Sequence, residues 1–558
     1  AILAQARAHI CPMFDWDRLD DCKPTVTVTV RGLAGDVLFG PKDLPRSALV
    51  AELREELGRG KVGPGCALRI LRGSQELGDS ELLGGAEARV ELSAVFTRKT
   101  YSVVAWGWRS QGGDCSAAAA QLAGGVVAVF HNERAFAAVK DTGAVVTWGS
   151  DFHGGSSRRV ASQLASGVAT VCCNRSAFAA LKDGGAVVAW GNPELGGDCR
   201  VVAKHLNSDV VSLHGSYDMA FAAIKRGGRV VTWGNPRGGG DSSAVATQLA
   251  GGVTQLRSTL GAFAALREGG SVVTWGDPQR GGDSGRVARH LRGEVVALRS
   301  THFGAFAAIK DRGAVVTWGD PQHGGDSGAV AGQLALGVAS VDSSSGAFVA
   351  LKEQGAAVVW GNPDSGGDAA EVARQLTADV LRVHTTGGAF AALKRGGAVV
   401  AWGLKVRGGD LGGSAEQLQA GVRAIFSSVS GFVALKEGGA VVAWPVAAGP
   451  EEELRHGVVG LRSTSSSWAA LKEGGAVVTF GNPYGGGDSS AVARQLAGNV
   501  VALHSTSSAF AALKANGAVV TWGNPGSGGD SRAVAEQLAS GVARLTSNFN
   551  AFVALKVE

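Results

Sequence analysis

The sequence predicts a mainly β protein, a propeller-type array of about eleven blades behind a small α+β domain. Three observations predict it. A tryptophan step recurs at a nearly constant interval, an apolar phrase ending in lysine precedes each step, and an N-terminal stretch lacks both. Trp106, Trp148, Trp190, Trp233, Trp275, Trp318, Trp360, Trp402 and Trp444 follow one another at 42 or 43 residues, and Phe480 and Trp522 follow after 36 and 42. Self-similarity at a fixed period of this size marks a repeat architecture.

One unit, taken from residue 499, reads NVVALHS, a short loop, AFAALK, a turn, AVVTWG, and then NPGSGGDSRAVAEQLASG. Its first three apolar segments read as strands, because each is short, rich in Val, Leu, Phe and Trp, and bounded by turn residues. The A-N-G turn between Lys514 and Ala518 makes a hairpin, with Gly517 tolerating positive φ. The last piece opens on Gly528-Gly529-Asp530-Ser531. It reads either as a short helix over 533–538 capped by Asp530 or Ser531, or as a short fourth strand. The AFAALK phrase occurs eleven times, the last at 551–556, and 94–100 reads as a degraded copy.

Strand, A-L-K-x-x-G hairpin, W-G step and Gly-rich turn, met eleven times over residues 97–558, resemble the RCC1-like repeat. The short period is closer to the compact propellers of the bacterial β-lactamase-inhibitor type than to the longer blades of RCC1 itself. Eleven blades exceed the usual number of about four to eight. Three arrangements follow: a ring closed by 551–556 beside 101–106, an open spiral, or two stacked propellers parted at the shortened unit 445–457.

Residues 25–96 show a strand at 25–30, a second near 37–39 and a helix over 47–57 with Ser47 as cap and Leu49, Val50, Leu53 and Leu57 on one face. Leu68-Arg69-Ile70-Leu71-Arg72-Gly73, the turn at 76–79 and a last strand at 88–94 follow. This order resembles the ubiquitin-like β-grasp. The strand runs into the repeats with no diglycine tail, so the resemblance implies a docking module and not a conjugated tag. Of ubiquitin's three-part apolar patch, Leu33 and Ile70 match two positions, and Ser93 stands at the third. Residues 1–24 are an N-terminal extension, and the start at Ala1 leaves a targeting segment open.

Composition excludes several classes. With 45% hydrophobic and 18% charged residues the 85 glycines punctuate folded turns instead of a disordered chain. A net charge of +5 over 558 residues implies no nucleic-acid partner by itself, and no apolar run reaches a membrane span. Seven cysteines, an odd number confined to the first 199 residues, read as a reducing, intracellular setting, cytoplasmic or nuclear. The chain is expected to be soluble.

No catalytic constellation, cofactor motif or metal spacing is expected. The tryptophans read as blade packing. The recurrent lysines, such as Lys140, Lys352 and Lys514, read as solvated hairpin ends whose field neighbouring acids cancel, and the G-G-D aspartates as turn and cap residues in place of calcium ligands. His205, His290, His384 and His504 are read at unrelated phases of the repeat. Two loops vary from unit to unit: the one before AFAALK, with Tyr217, Leu260, His302, Phe303 and Phe549, and the pair after N-P or D-P, with Arg280 and His323. Variable loops on a rigid scaffold are where specificity is written.

The leading expectation is therefore a non-enzymatic scaffold or adaptor with protein partners. A structural subunit of a large assembly is the alternative. A nucleotide-exchange factor for a small GTPase ranks lower, because constant spacing leaves no room for a projecting insertion. A fragment of a HECT-type ubiquitin ligase also ranks lower, since no catalytic cysteine follows Cys199.

Overall fold

The computed structural model describes residues 25–31, 37–45, 66–72, 75–76 and 89–557, apart from 218 and 446–451. The chain divides into two compact units, residues 1–100 and 101–558.

In the first unit, β1 (Thr25–Arg31), β2 (Val37–Pro45), β3 (Cys66–Arg72), β4 (Gln75–Glu76) and β5 (Arg89–Arg98) form one sheet in the order β2-β1-β5-β3-β4. β1 runs parallel to β5, and the other neighbours are antiparallel. The TVTVTV run of β1 alternates with period two, and Val28 and Val30 are fully buried with Ile70 and Leu92. The helix expected over 47–57, like Leu33, lies outside the described residues. β5 extends to Arg98, so most of the stretch read as a degraded AFAALK copy is instead the closing strand of this sheet.

The second unit is a β-propeller array of three-stranded antiparallel blades, each following the order of the repeat. In the first, β7 (Val126–His131) pairs with β8 (Ala135–Lys140), which pairs with β9 (Val145–Gly149). Nine separate sheets of this kind follow between Val168 and Gly523. The Gly-rich piece contains a pair of 3-10 turns, as at Pro525–Ser527 and Arg532–Val534, and no fourth strand among the described residues. An Asn or Asp before Pro caps the first turn, as Asp277 does by accepting from the Gln279 N–H. The turn at Arg532–Val534 continues to Leu538, whose N–H donates to the Val534 carbonyl, so the segment follows the short-helix reading and not the fourth-strand one.

The middle strand of each blade is buried on both faces, which explains its unbroken apolar run. Ala305, Ala307 and Ile309 face one neighbouring blade, against Leu334, Val338, Phe348 and Trp360. Phe306 and Ala308 face the other, against Leu266, Leu291 and Val295. Alanine at these positions lets the sheets approach closely. At every interface but the one after the shortened unit, a glycine of one blade meets an aromatic pair of the next. Phe306 and Trp318 stack at 5.3 Å, and the indole N–H donates to the Gly281 carbonyl at 3.1 Å. Gly281 has φ 95°, and a Cβ there would lie 2.6 Å from the Phe306 ring.

The succession of shared cores returns to its start. β6 (Tyr101–Gly107) pairs along its whole length with the C-terminal strand Ala551–Val557, Trp106 opposite Phe552. Val542–Ser547 adds the third strand, and a single bridge between Tyr101 and Val126 joins these strands to β7–β9 in one six-stranded sheet; they pack on the first repeat through Tyr101 and Phe136 and on the last through Trp106 and Leu513. Trp106 donates to the Gly528 carbonyl, 422 residues away. No break occurs at the shortened unit: Val433 and Leu435 share a core with Leu454, Val458 and Trp468, and the Val441 N–H donates to the Leu454 carbonyl. That unit lacks the Gly-Gly phrase, and the aromatic following it is Phe480, which has no N–H to place.

Trp318→Phe should keep the stack and strand the buried Gly281 carbonyl, at a cost of about 1–3 kcal/mol. Gly281→Ala should cost more, because strain and clash add. Urea denaturation of the two variants checks the ranking; equal stability of Trp318→Phe and wild type would contradict it.

Candidate functional site

The loop between the first and second strands of each blade opens on a polar residue, which in most blades pins two loops at once; Ser216 and Ser428 bond within their own loops. Asn132 accepts from the Ala135 N–H at 2.9 Å and donates to the His153 carbonyl at 2.8 Å. Thr259 accepts from Ala262 N–H and donates to the Arg280 carbonyl at 2.9 Å, and Thr506 does the same with Ala509 and Ser527. Because Asn, Ser and Thr each supply an acceptor and a donor, all three serve. In these blades both variable loops are thereby held at the same end. Sequence reading missed these residues, although a recurring Asn, Ser or Thr three or four positions before AFAALK was a visible signal.

Backbone bonds then join loop to loop around the rim: Arg175 N–H to Tyr217 carbonyl, Leu260 to His302, Phe303 to Ser345, and Ser507 to Phe549. On this frame the side chains that depart from the repeat gather. The Tyr217 ring meets His302 edge-on at 4.4 Å, His302 meets Phe303 at 5.2 Å, and Phe303 meets His323 at 5.1 Å. His323 Nδ1 lies 2.7 Å from Asp320 Oδ2, and Arg280 donates to the Phe303 carbonyl at 3.3 Å. Tyr217 also donates to Glu133 at 3.2 Å, and Glu133 pairs with Arg175 at 2.8 Å. Tyr217 thus reaches side chains two blades away in each direction.

Tyr217 and Phe549 line opposite parts of a hollow of about 580 Å³ formed by five neighbouring loops, with Asn132, Arg175 and Ser507 between them. Tyr217 and Phe549, which line the hollow, expose 47% and 57% of their surface, and Phe303, outside it, exposes 37%. The fold therefore collects Tyr217, Leu260, Arg280, His302, Phe303, His323 and Phe549 on one rim. Ile70 does not join them. It is fully buried in the N-terminal sheet, so its side chain cannot form the surface patch that the ubiquitin resemblance assigns to it.

The recurrent lysines are tethered, not free in solvent. Lys140, Lys352 and Lys514 each donate from Nζ to a backbone carbonyl 19 residues earlier, at 2.7–2.9 Å, closing the helical turn of the preceding piece. The G-G-D aspartates accept from the backbone N–H two residues on, as Asp241 does from Ser243 at 2.8 Å, and that bond holds the Asp241 carboxyl below its usual range. Burial pushes the Cys172 and Cys173 thiols up to about 11 and about 12, which suits inert packing and not nucleophilic attack. Among the described residues no group of His, Cys, Asp and Glu is arranged to hold a metal.

The histidines read at unrelated phases fall into two registers. His205 and His290 each precede the leucine that ends a helical turn, whereas His214, His384 and His504 occupy the fifth position of a first strand. Burial, with Arg462 nearby, lowers the His504 pKa from 6.5 to about 4. The unfolded chain therefore binds an extra proton between those values, so stability rises with pH through the window and is lost on acidification from about 6.5 towards 4. Allowing for solvent screening, His504→Gln should remove about 1–2 kcal/mol of the stability difference between pH 7 and pH 4.5. Urea melts at the two pH values measure it.

No protein-family model and no curated protein matches the sequence. Among solved structures, the chain is similar at 14% identity to Prp20p of Saccharomyces cerevisiae, over 70% of this chain and 82% of that one, with a TM-score of 0.27. It is similar at 13% identity to human WBSCR16, over 82% and 99% of the two chains, with a TM-score of 0.29. At 14% identity it is similar to the CRINKLY WD40 ectodomain of the Arabidopsis thaliana receptor kinase ACR4, over 48% and 93%, with a TM-score of 0.24. Likenesses this distant carry no argument about function. The blade architecture rests on the strand order and shared cores described above.

Proposed function

We propose that residues 101–558 form a closed propeller of eleven RCC1-like blades, and that this propeller is a non-catalytic scaffold binding another protein through its loop rim. The N-terminal unit, with its β2-β1-β5-β3-β4 sheet and parallel β1/β5 pair, serves as a ubiquitin-like docking module. The observation that carries the reading is the convergence of Tyr217, His302, Phe303 and His323, each foreign to the repeat, into one aromatic cluster on pinned loops. Aromatic and arginine side chains held on rigid supports are what protein-binding hot spots are made of. Four free, partly buried cysteines among the described residues fit an intracellular setting, cytoplasmic or nuclear. Among those residues no helix is long and apolar enough to cross a membrane.

A structural subunit of a large assembly would use the same rim. Nucleotide exchange on a small GTPase has less support, since the loops before the second strands hold only a few residues and none projects as an insertion. The test is affinity purification with mass spectrometry of the full chain beside a Tyr217→Ala/Phe303→Ser variant. One set of proteins should be captured by the wild type and reduced at least about tenfold by the variant, with thermal stability unchanged, because exposed substitutions seldom cost more than about 0.5 kcal/mol. Retention of the same partners by the variant would overturn the rim assignment. Recovery of a small GTPase with accelerated nucleotide release would overturn the scaffold reading.

A further inference from the structure

The first strands of neighbouring blades are the strands that approach one another most closely. Ser300 Oγ donates to the Ser258 carbonyl at 2.9 Å, Ser343 to Ser300 at 2.9 Å, Ser505 to Ser463 at 2.6 Å and Ser547 to Ser505 at 2.8 Å. Each bond joins the same position of consecutive first strands. In a radial array of sheets the closest strands are those nearest the axis, so the first strands line the centre.

Their charge is unlike that of the rest of the chain. The eleven first strands contain six arginines, Arg257, Arg299, Arg382, Arg423, Arg462 and Arg544, one acid, Asp342, and no lysine or glutamate. Their excess of five positive charges equals the +5 of the whole protein, so everything outside them is neutral on balance. None of the six arginines has an ion-pair partner within 4 Å among the described residues. Arg299 and Arg462 are instead oriented by donating from Nε to the Val341 and Leu503 carbonyls of the next first strand, both at 3.1 Å. All six fall between Val253 and Ser547, which makes a basic arc in which the three first strands from Val126 to Gly215 take no part. A concave wall carrying one sign of charge focuses its field.

The same arc exposes aliphatic side chains. Val296, Leu381, Val459 and Val501, each 49–58% exposed, occupy the second position of their strands, where a register shift leaves the residue out of the ladder. The first strands hold no tyrosine or tryptophan, and their two phenylalanines, Phe130 and Phe426, are half-buried against blade cores, so no ladder of open rings for stacking single-stranded nucleic acid is present among the described residues.

We infer that this arc is a binding surface for an acidic peptide segment with aliphatic residues between its carboxylates. The inference rests on the closed ring proposed above, but not on the loop rim. Fluorescence anisotropy of a labelled peptide alternating glutamate and leucine, titrated with the full-length protein, tests it. Binding should weaken steeply as salt rises, and Arg299→Gln/Arg462→Gln should weaken it about tenfold, each charge contributing about threefold. Arg423→Gln, at an exposed position, should weaken it about threefold and gives a reading even if the double variant unfolds. Arg200→Gln/Arg532→Gln, which removes two exposed arginines outside the first strands, and Tyr217→Ala/Phe303→Ser on the rim, should leave it unchanged. Absence of binding, insensitivity to the first-strand arginines, or tighter binding of an oligothymidylate with the same arginine dependence would each overturn the assignment.

Discussion

The contact on which the array depends joins a glycine of one blade to a phenylalanine and tryptophan of the next. Phe263 and Trp275 stack at 5.4 Å, and the indole N–H reaches back to the Gly239 carbonyl at 3.0 Å. The aromatic faces exclude water from this bond, and the left-handed glycine both presents the carbonyl and leaves room for the ring. Because each link spans two blades, no blade completes its core alone. The same device closes the unit, with Trp106 reaching Gly528 from the opposite end of the chain. Stability then accumulates through nearest-neighbour interfaces, as in other repeat proteins.

That dependence constrains where function can lie. The middle strands are buried on both faces and hold almost only Ala, Phe and aliphatic residues, Ser467 and Trp468 of one blade apart. Lysines at their ends and aspartates of the Gly-rich turns are committed to backbone carbonyls and N–H groups. What is left free to vary lies at two places: the loops pinned by Asn, Ser or Thr, and the alternate positions of the first strands. The first carries aromatic rings, and the second carries the protein's whole charge excess. A repeat scaffold thereby separates a rim that carries aromatic side chains from first strands that carry the positive charge.

The limits of sequence reading follow from locality. Strand order, hairpins and blade boundaries were legible because they depend on residues within one period, and the tryptophan series reported packing because the same environment recurs. The fourth element of the unit was ambiguous between helix and strand, since short Gly-rich segments have little propensity of their own, and tertiary contact made it a pair of 3-10 turns. Ile70 was misplaced because a lone apolar residue on a strand does not declare which face is covered. The histidine registers were overlooked although His214, His384 and His504 share one position, because their loop-proximal setting hides the strand phase.

The amino-acid order alone determined that this chain is a repeat of units with three strands and a fourth, ambiguous element, because periodic apolar segments and turn residues act over a few residues. It also determined that the units differ mainly in two loops. Only the tertiary structure decided that Ala551–Val557 pairs with Tyr101–Gly107, that Tyr217 and His302 touch across two blades, and that six scattered arginines lie on one set of neighbouring strands. Each of these joins residues a full period or more apart. Such contacts are set by how sheets stack in space, and no local propensity encodes them.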